Sequence, residues 1–137
     1  MPELQEESDK PCDTGYGTPE VQELYNDMDY SRLIDGWNSK TGFWAPHDEA
    51  LDKRASWVRD FIRSRPEKNI AVVGHGGFFK YRLHGTVNED RWYGNAGWSV
   101  NQFDAAGNLE PIDLANIRGT DKLATDATLE LERSEFA

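Results

Sequence analysis

The clearest pattern in the chain is an apolar stripe over residues 47–64. Leu51, Ala55, Val58 and Ile62 recur at the spacing of one helical face, with charged residues between them. Asp48 and Glu49 fall near the N-terminus of this helix and Arg63 and Arg65 near its C-terminus, each sign matching the macrodipole, and Pro66 stops it. Next comes Asn69-Ile70-Ala71-Val72-Val73-Gly74, a continuous, β-branched apolar run that predicts a parallel strand buried between helices. It runs into His75-Gly76-Gly77, after which Phe78, Phe79, Tyr81 and Leu83 predict a helix packing back on the sheet, half of a βαβ unit. Residues 98–103 alternate at period two, Ala106-Gly107-Asn108 makes a turn, and Leu109 to Leu114 returns as a second strand, so a hairpin is expected.

Upstream, Pro19 suits the first turn of a short helix in which Val21, Leu24 and Tyr25 share a face, ended by Asp27 to Ser31. Residues 1–18 mix acids, Pro, Gly and Thr without periodicity and predict a loop. From about Gly119 the chain turns polar and acidic. The expected organisation is one domain over residues 1–118 and an acidic C-terminal tail over 119–137, with no internal repeat.

Composition adjusts this picture in two ways. At 137 residues and 37% hydrophobic, with five Trp, five Tyr and six Phe, the chain sustains one modest core. A net charge of −10 argues against nucleic acid and membrane surfaces as partners, because both are anionic. An anionic substrate is compatible only where local cations reverse that field. A single cysteine, Cys12, excludes an internal disulfide and multi-cysteine zinc motifs, and fits a reducing compartment, so a cytoplasmic location is expected. Neither a targeting segment nor a window approaching the roughly 20 apolar residues of a membrane span is visible.

The junction Val72-Val73-Gly74-His75-Gly76-Gly77 is the strongest chemical signal. In an open α/β sheet ligands bind beyond the carboxyl ends of strands, where His75 stands, and Gly76 lets a ligand approach the backbone. An imidazole there can stabilise phosphoryl charge or transfer a proton. The competing reading is a capped or core histidine at a tight turn. Leu4-Gln5-Glu6 is a second, weaker signal. A carboxylate at a phosphate pocket is a general acid for the leaving oxygen once its pKa is raised, but Glu3, Glu6 and Glu7 also fit ordinary surface acids. His47-Asp48-Glu49 reads as a helix start rather than a metal site, because adjacent helical side chains diverge. His84 reads as a surface residue, and Trp37 to Trp44 as packing. Serine-hydrolase, nucleotide-loop and zinc-protease motifs are absent from the sequence, and no cofactor is expected.

Taken in order, Leu4-Gln5-Glu6, Cys12-Asp13-Thr14-Gly15, Tyr30-Ser31 leading to Gly36-Trp37, the Ala50 to Arg65 helix, Ile70 to Phe79, and Trp92 to Asn95 resemble fungal phosphoglycerate-mutase-like proteins of the histidine phosphatase superfamily. The resemblance spans about residues 3–115. It implies an α/β three-layer sandwich with a mostly parallel sheet, and hydrolysis of a small phosphorylated metabolite through a phosphohistidine. His75 matches the second pocket histidine, which contacts phosphoryl oxygens, and Glu6 the proton donor, with Glu7 one position away. Asn95 stands where many members have a pocket asparagine. The nucleophilic Arg-His-Gly segment belongs upstream of Leu4-Gln5-Glu6 and is not in this sequence, so the resemblance implies an N-terminally truncated domain with impaired catalysis. Arg82-Leu83-His84-Gly85 does not match that motif. Two alternatives accompany this reading. One is a non-phosphatase auxiliary enzyme or binding protein for an organic acid or secondary metabolite. The other is a decayed domain whose unpaired sheet edge favours homodimer formation.

Overall fold

The computed structural model describes residues 1–85 and 94–112. Its centre is helix α2, Asp48–Arg63, which follows the apolar stripe closely. His47 caps its start, with Nδ1 accepting a hydrogen bond from the Ala50 N–H at 3.3 Å, and Ser64 closes its end by donating its N–H to the Asp60 carbonyl at 3.0 Å. Ala50, Leu51, Ala55 and Val58 are buried, and so is Arg54, which lies on the same face.

A second helical segment packs against α2. Helix α3, Gly76–Phe78, opens where the Phe79 N–H bonds the His75 carbonyl, and it continues through π-helical turns over Phe79–Leu83. Gly85 then adopts φ +75°, the left-handed conformation that ends helices and that a side chain resists. Phe78 and Leu83 point inward and close a core with Ala55 and Val58, flanked by Leu4, Ile62, Phe79 and Leu109. Burying Val58 and Phe78 contributes roughly 1.5–3 kcal/mol each. The segment expected to cover a sheet therefore covers α2.

Residues 1–17 run as loop with two single 3-10 turns, Pro2–Leu4 and Pro11–Asp13, followed by α1, Thr18–Leu24, with Pro19 in its first turn. The apolar face expected on α1 is open, since Leu24 and Tyr25 are exposed. Between α1 and α2, Trp44 is buried and meets Phe43 edge to face, with centroids 4.9 Å apart, in agreement with the packing expected there. The hairpin pairs β1, Asn101–Phe103, with β2, Leu109–Pro111, in the antiparallel register Asn101 to Pro111, Gln102 to Glu110 and Phe103 to Leu109. Its turn is held by the Asp104 side chain, whose Oδ1 accepts the Asn108 N–H at 2.8 Å.

Two sequence expectations change here. The run Asn69–Gly74 takes no part in a strand ladder among the described residues; Ile70 and Val73 face solvent, Val73 at 88% exposure. A β-branched run suits a pleated surface, but a strand exists only as half of a pair, and no other described segment pairs with it. His84 is buried rather than superficial, because the Leu109 N–H donates to its carbonyl at 3.1 Å and its Nδ1 lies 3.2 Å from the Leu109 carbonyl oxygen, joining helix end to hairpin. Trp92, the continuation of β2 to Leu114, the boundary at residue 118 and the acidic tail lie outside the described residues. No helix among the described residues is long and apolar enough to cross a membrane.

Candidate functional site

Glu6 and His75, assigned separately from two distant motifs, meet at the surface of the folded chain. Glu6 Oε2 lies 3.7 Å from His75 Nδ1, with the Glu6 side chain largely covered and the imidazole about half exposed. Gly76 and Gly77 follow directly. A Cβ at Gly77 would stand 3.0 Å from Glu6 Oε1 and 3.1 Å from Glu7 Oε1, so the absence of a side chain lets both carboxylates approach this turn. Gly74 does the same for Phe79, which fills the space a side chain would take.

The Glu6 loop is fixed from beneath by cations that sequence reasoning did not assign to the site. Arg54 is fully buried; its Nη2 donates to the Gln5 carbonyl at 3.0 Å and to the Glu6 carbonyl at 3.5 Å. Its guanidinium also lies over the Phe78 ring, 4.6 Å from the centroid. Loss of hydration pulls the Arg54 pKa down to about 10, although Glu6, Glu7 and Glu3 oppose the change. Lys40 is also buried and donates from Nζ to the Glu6 carbonyl at 2.8 Å. Burial lowers its pKa as well, with the Arg54 charge acting in the same direction. Gln5 completes the anchorage by donating from Nε2 to the Trp37 carbonyl at 2.8 Å.

Glu7 also reaches Arg82, whose Nε is 3.8 Å from Glu7 Oε2. Arg82 in turn bonds Asp48 at 2.5 Å and Asp52 at 3.1 Å, tying the π-helical segment to α2. Burial tends to lower the Arg82 pKa, but the bonds to Asp48 and Asp52 outweigh it and the net shift is upward. Burial raises the Glu7 pKa, more than Arg82 lowers it, and Glu6 adds to the rise. Geometry thus makes Glu6 the partner of His75, while burial biases Glu7 toward its protonated form. Contact with the reacting group comes first in general acid catalysis, so Glu6 is the stronger candidate.

Asn95 lies exposed in the turn from Gly94 to Gly97, and no hydrogen bond joins it to Glu6 or His75. His47 caps α2 and His84 sits against the hairpin, so neither of the other two histidines stands at this rim. Cys12 is exposed and free. Among the described residues no three His, Cys, Asp or Glu side chains gather as metal ligands would. A groove of about 540 Å³, lined by Leu4, Val58, Phe61, Ile62, Val72 and Val73 among others, includes neither Glu6 nor His75.

Arg54 was legible in principle. It lies three residues after Leu51 and four before Val58, inside the apolar stripe, where a charged residue is out of place unless it has buried acceptors. Lys40 left no such trace, because its role depends on a left-handed backbone at φ +56° within an irregular loop.

No family model matches the chain, and neither a curated protein nor a solved structure shows significant similarity to it.

Proposed function

We propose that the Glu6–His75 rim binds the phosphoryl group of a small phosphorylated metabolite, as the phosphate-contacting half of a histidine-phosphatase-type site within an α/β domain of that superfamily. The observation that carries this reading is the 3.7 Å approach of Glu6 Oε2 to His75 Nδ1 beside the glycine turn. An imidazole next to a carboxylate supplies a donor for phosphoryl oxygens and a proton for a leaving alkoxide. His75 contacts the phosphoryl oxygens, Glu6 protonates the departing ester oxygen, and the bare backbone of Gly76 admits the ligand.

Where an Arg-His-Gly histidine is present, its imidazole nitrogen bonds to phosphorus as the ester P–O bond breaks. The alkoxide takes the Glu6 proton; the Glu6 carboxylate then takes a proton from water as the water oxygen bonds to phosphorus and the P–N bond breaks, releasing phosphate. In this chain His47 and His84 are engaged away from the rim, so the same site binds the phosphoryl group and hydrolyses its ester only slowly. That single histidine at the rim is also the one observation favouring the alternative, a binding protein for a non-phosphorylated organic acid.

Titration with inorganic phosphate, followed through the His75 imidazole resonances by NMR, separates the two. Saturable movement of those signals, weakened in Glu6→Gln, is the expected result, together with a phosphate-induced thermal shift that is lost in His75→Ala. A thermal shift with carboxylic acids and none with phosphate or vanadate overturns the phosphatase reading in favour of the alternative. Phosphate release from an aryl phosphate at a rate typical of phosphatases, abolished in His75→Ala, would show that His75 itself is the essential histidine.

A further inference from the structure

We propose that Arg54 and Lys40 are positioning residues, whose task is to hold the Gln5–Glu6 main chain so that the Glu6 carboxylate meets His75. The inference rests on the reading of the Glu6–His75 pair given above. Two buried cations from different parts of the chain converge on one carbonyl, that of Glu6, at 3.5 Å from Arg54 Nη2 and 2.8 Å from Lys40 Nζ. Arg54 also holds the preceding carbonyl, Gln5, at 3.0 Å.

Packing alone does not account for these choices. Position 54 lies in the apolar stripe of α2, where a methionine of similar volume would fill the space without the cost of desolvating a guanidinium. Arg54 is completely buried, and its Nε and Nη1 atoms have no hydrogen-bond partner, so the residue is not there to satisfy all its own donors. Being sealed from solvent, it is not a ligand contact either. What it delivers is the pair of bonds to Gln5 and Glu6, in a field where Glu3, Glu6 and Glu7 offset its charge. Lys40 reaches the same point from a left-handed backbone unusual for a residue with a Cβ, strain that the surrounding loop must hold in place. The segment so anchored is a loop with one short 3-10 turn and no sheet or long helix to fix it. Without the two cations the Glu6 main chain loses every side-chain bond described at its carbonyl.

The test reads the His75 ring signals in the ligand-free protein at one fixed pH, independently of phosphate binding. Glu6→Gln is expected to displace them. Arg54→Lys keeps the charge but loses the reach of the guanidinium fork, and is expected to displace them in the same direction. Lys40→Met sharpens the distinction. Acting only through its lost positive charge, it would move the signals opposite to Glu6→Gln, whereas acting through loop position it moves them the same way. The double variant Arg54→Lys with Glu6→Gln is expected to go no further than Glu6→Gln alone. If Glu6→Gln moves the signals while Arg54→Lys leaves them in place or Lys40→Met moves them the opposite way, the positioning role is overturned and the rim survives. If Glu6→Gln leaves them unmoved, the pairing fails and the positioning role falls with it. Should Arg54→Lys lose its dispersed amide spectrum, Lys40→Met decides alone.

Discussion

Helix α2 and the run Asn69–Gly74 carry similar stocks of aliphatic side chains, yet they end in opposite environments. Leu51, Ala55 and Val58 are buried, whereas Ile70 and Val73 are exposed. The helix satisfies its own backbone and needs only one surface to cover its stripe, which α3 and the N-terminal loop provide. The run 69–74 needs a neighbouring strand before its side chains can be buried at all, and the described residues contain no strand beside it. Local pattern specifies a helix more completely than it specifies a strand.

Hydrogen exchange gives the broadest test of that contrast. Amides of Ala55, Val58 and Ile62 are expected to exchange only through opening close to global unfolding, whereas those of Ile70 to Val73 exchange with an opening free energy of about zero. Protection at 70–73 comparable to that of α2 would show that a partner strand is formed in solution and would revive the parallel sheet. Substitution tests the same contrast at side chains. Phe78→Ala is expected to cost about 3–5 kcal/mol in denaturant unfolding, because Phe78 is fully buried against α2. Val73→Ala is expected to stay within about 0.5 kcal/mol. Similar losses for the two would place Val73 in a core and break the comparison.

The same contrast explains what the sequence disclosed. The extent of α2 was legible because periodicity, terminal charges and Pro66 agree within one local window. The hairpin was legible because its turn chemistry lies between Asp104 and Asn108. The helical character of residues 76–83 was also legible, but not its π-helical turns or its packing on α2, which depend on where α2 lies. His84 was misjudged because its burial comes from Leu109, and nothing in Arg82-Leu83-His84-Gly85 encodes that contact. At the candidate site, His75 and Glu6 were visible as residue types beside glycine and acidic motifs. Their mutual approach and the Lys40 anchorage arise only in the folded loop.

Between these extremes lie the ends of α2. His47 caps the helix through one ring nitrogen, and His47→Ala is expected to lower stability by about 0.5 kcal/mol, at the weak end of the range for cap removal. No change in the unfolding midpoint would mean that the neighbouring Asp48 and Glu49 suffice to start the helix.

Glu7 supplies the smallest effect and the sharpest electrostatic test. Its folded-state pKa is raised above the ordinary 4.5, chiefly by burial, with Arg82 opposing and Glu6 adding to the rise. Below pH 4.5 both folded and unfolded states hold the proton, and the ionisation costs the fold nothing. As pH climbs from 4.5 through the raised value, the folded state holds more protons than the unfolded state, so stability falls, and it levels off once both are ionised. Glu7→Gln removes this dependence. Wild type is therefore expected to lose stability relative to Glu7→Gln over that window, with no difference in slope at higher pH. Glu7 keeps substantial contact with solvent, which limits the loss to a small one. If wild type instead gains on the variant as pH rises, attraction to Arg82 outweighs burial. Glu7 would then be a structural ion-pair partner of α2 and no reserve proton donor for the rim.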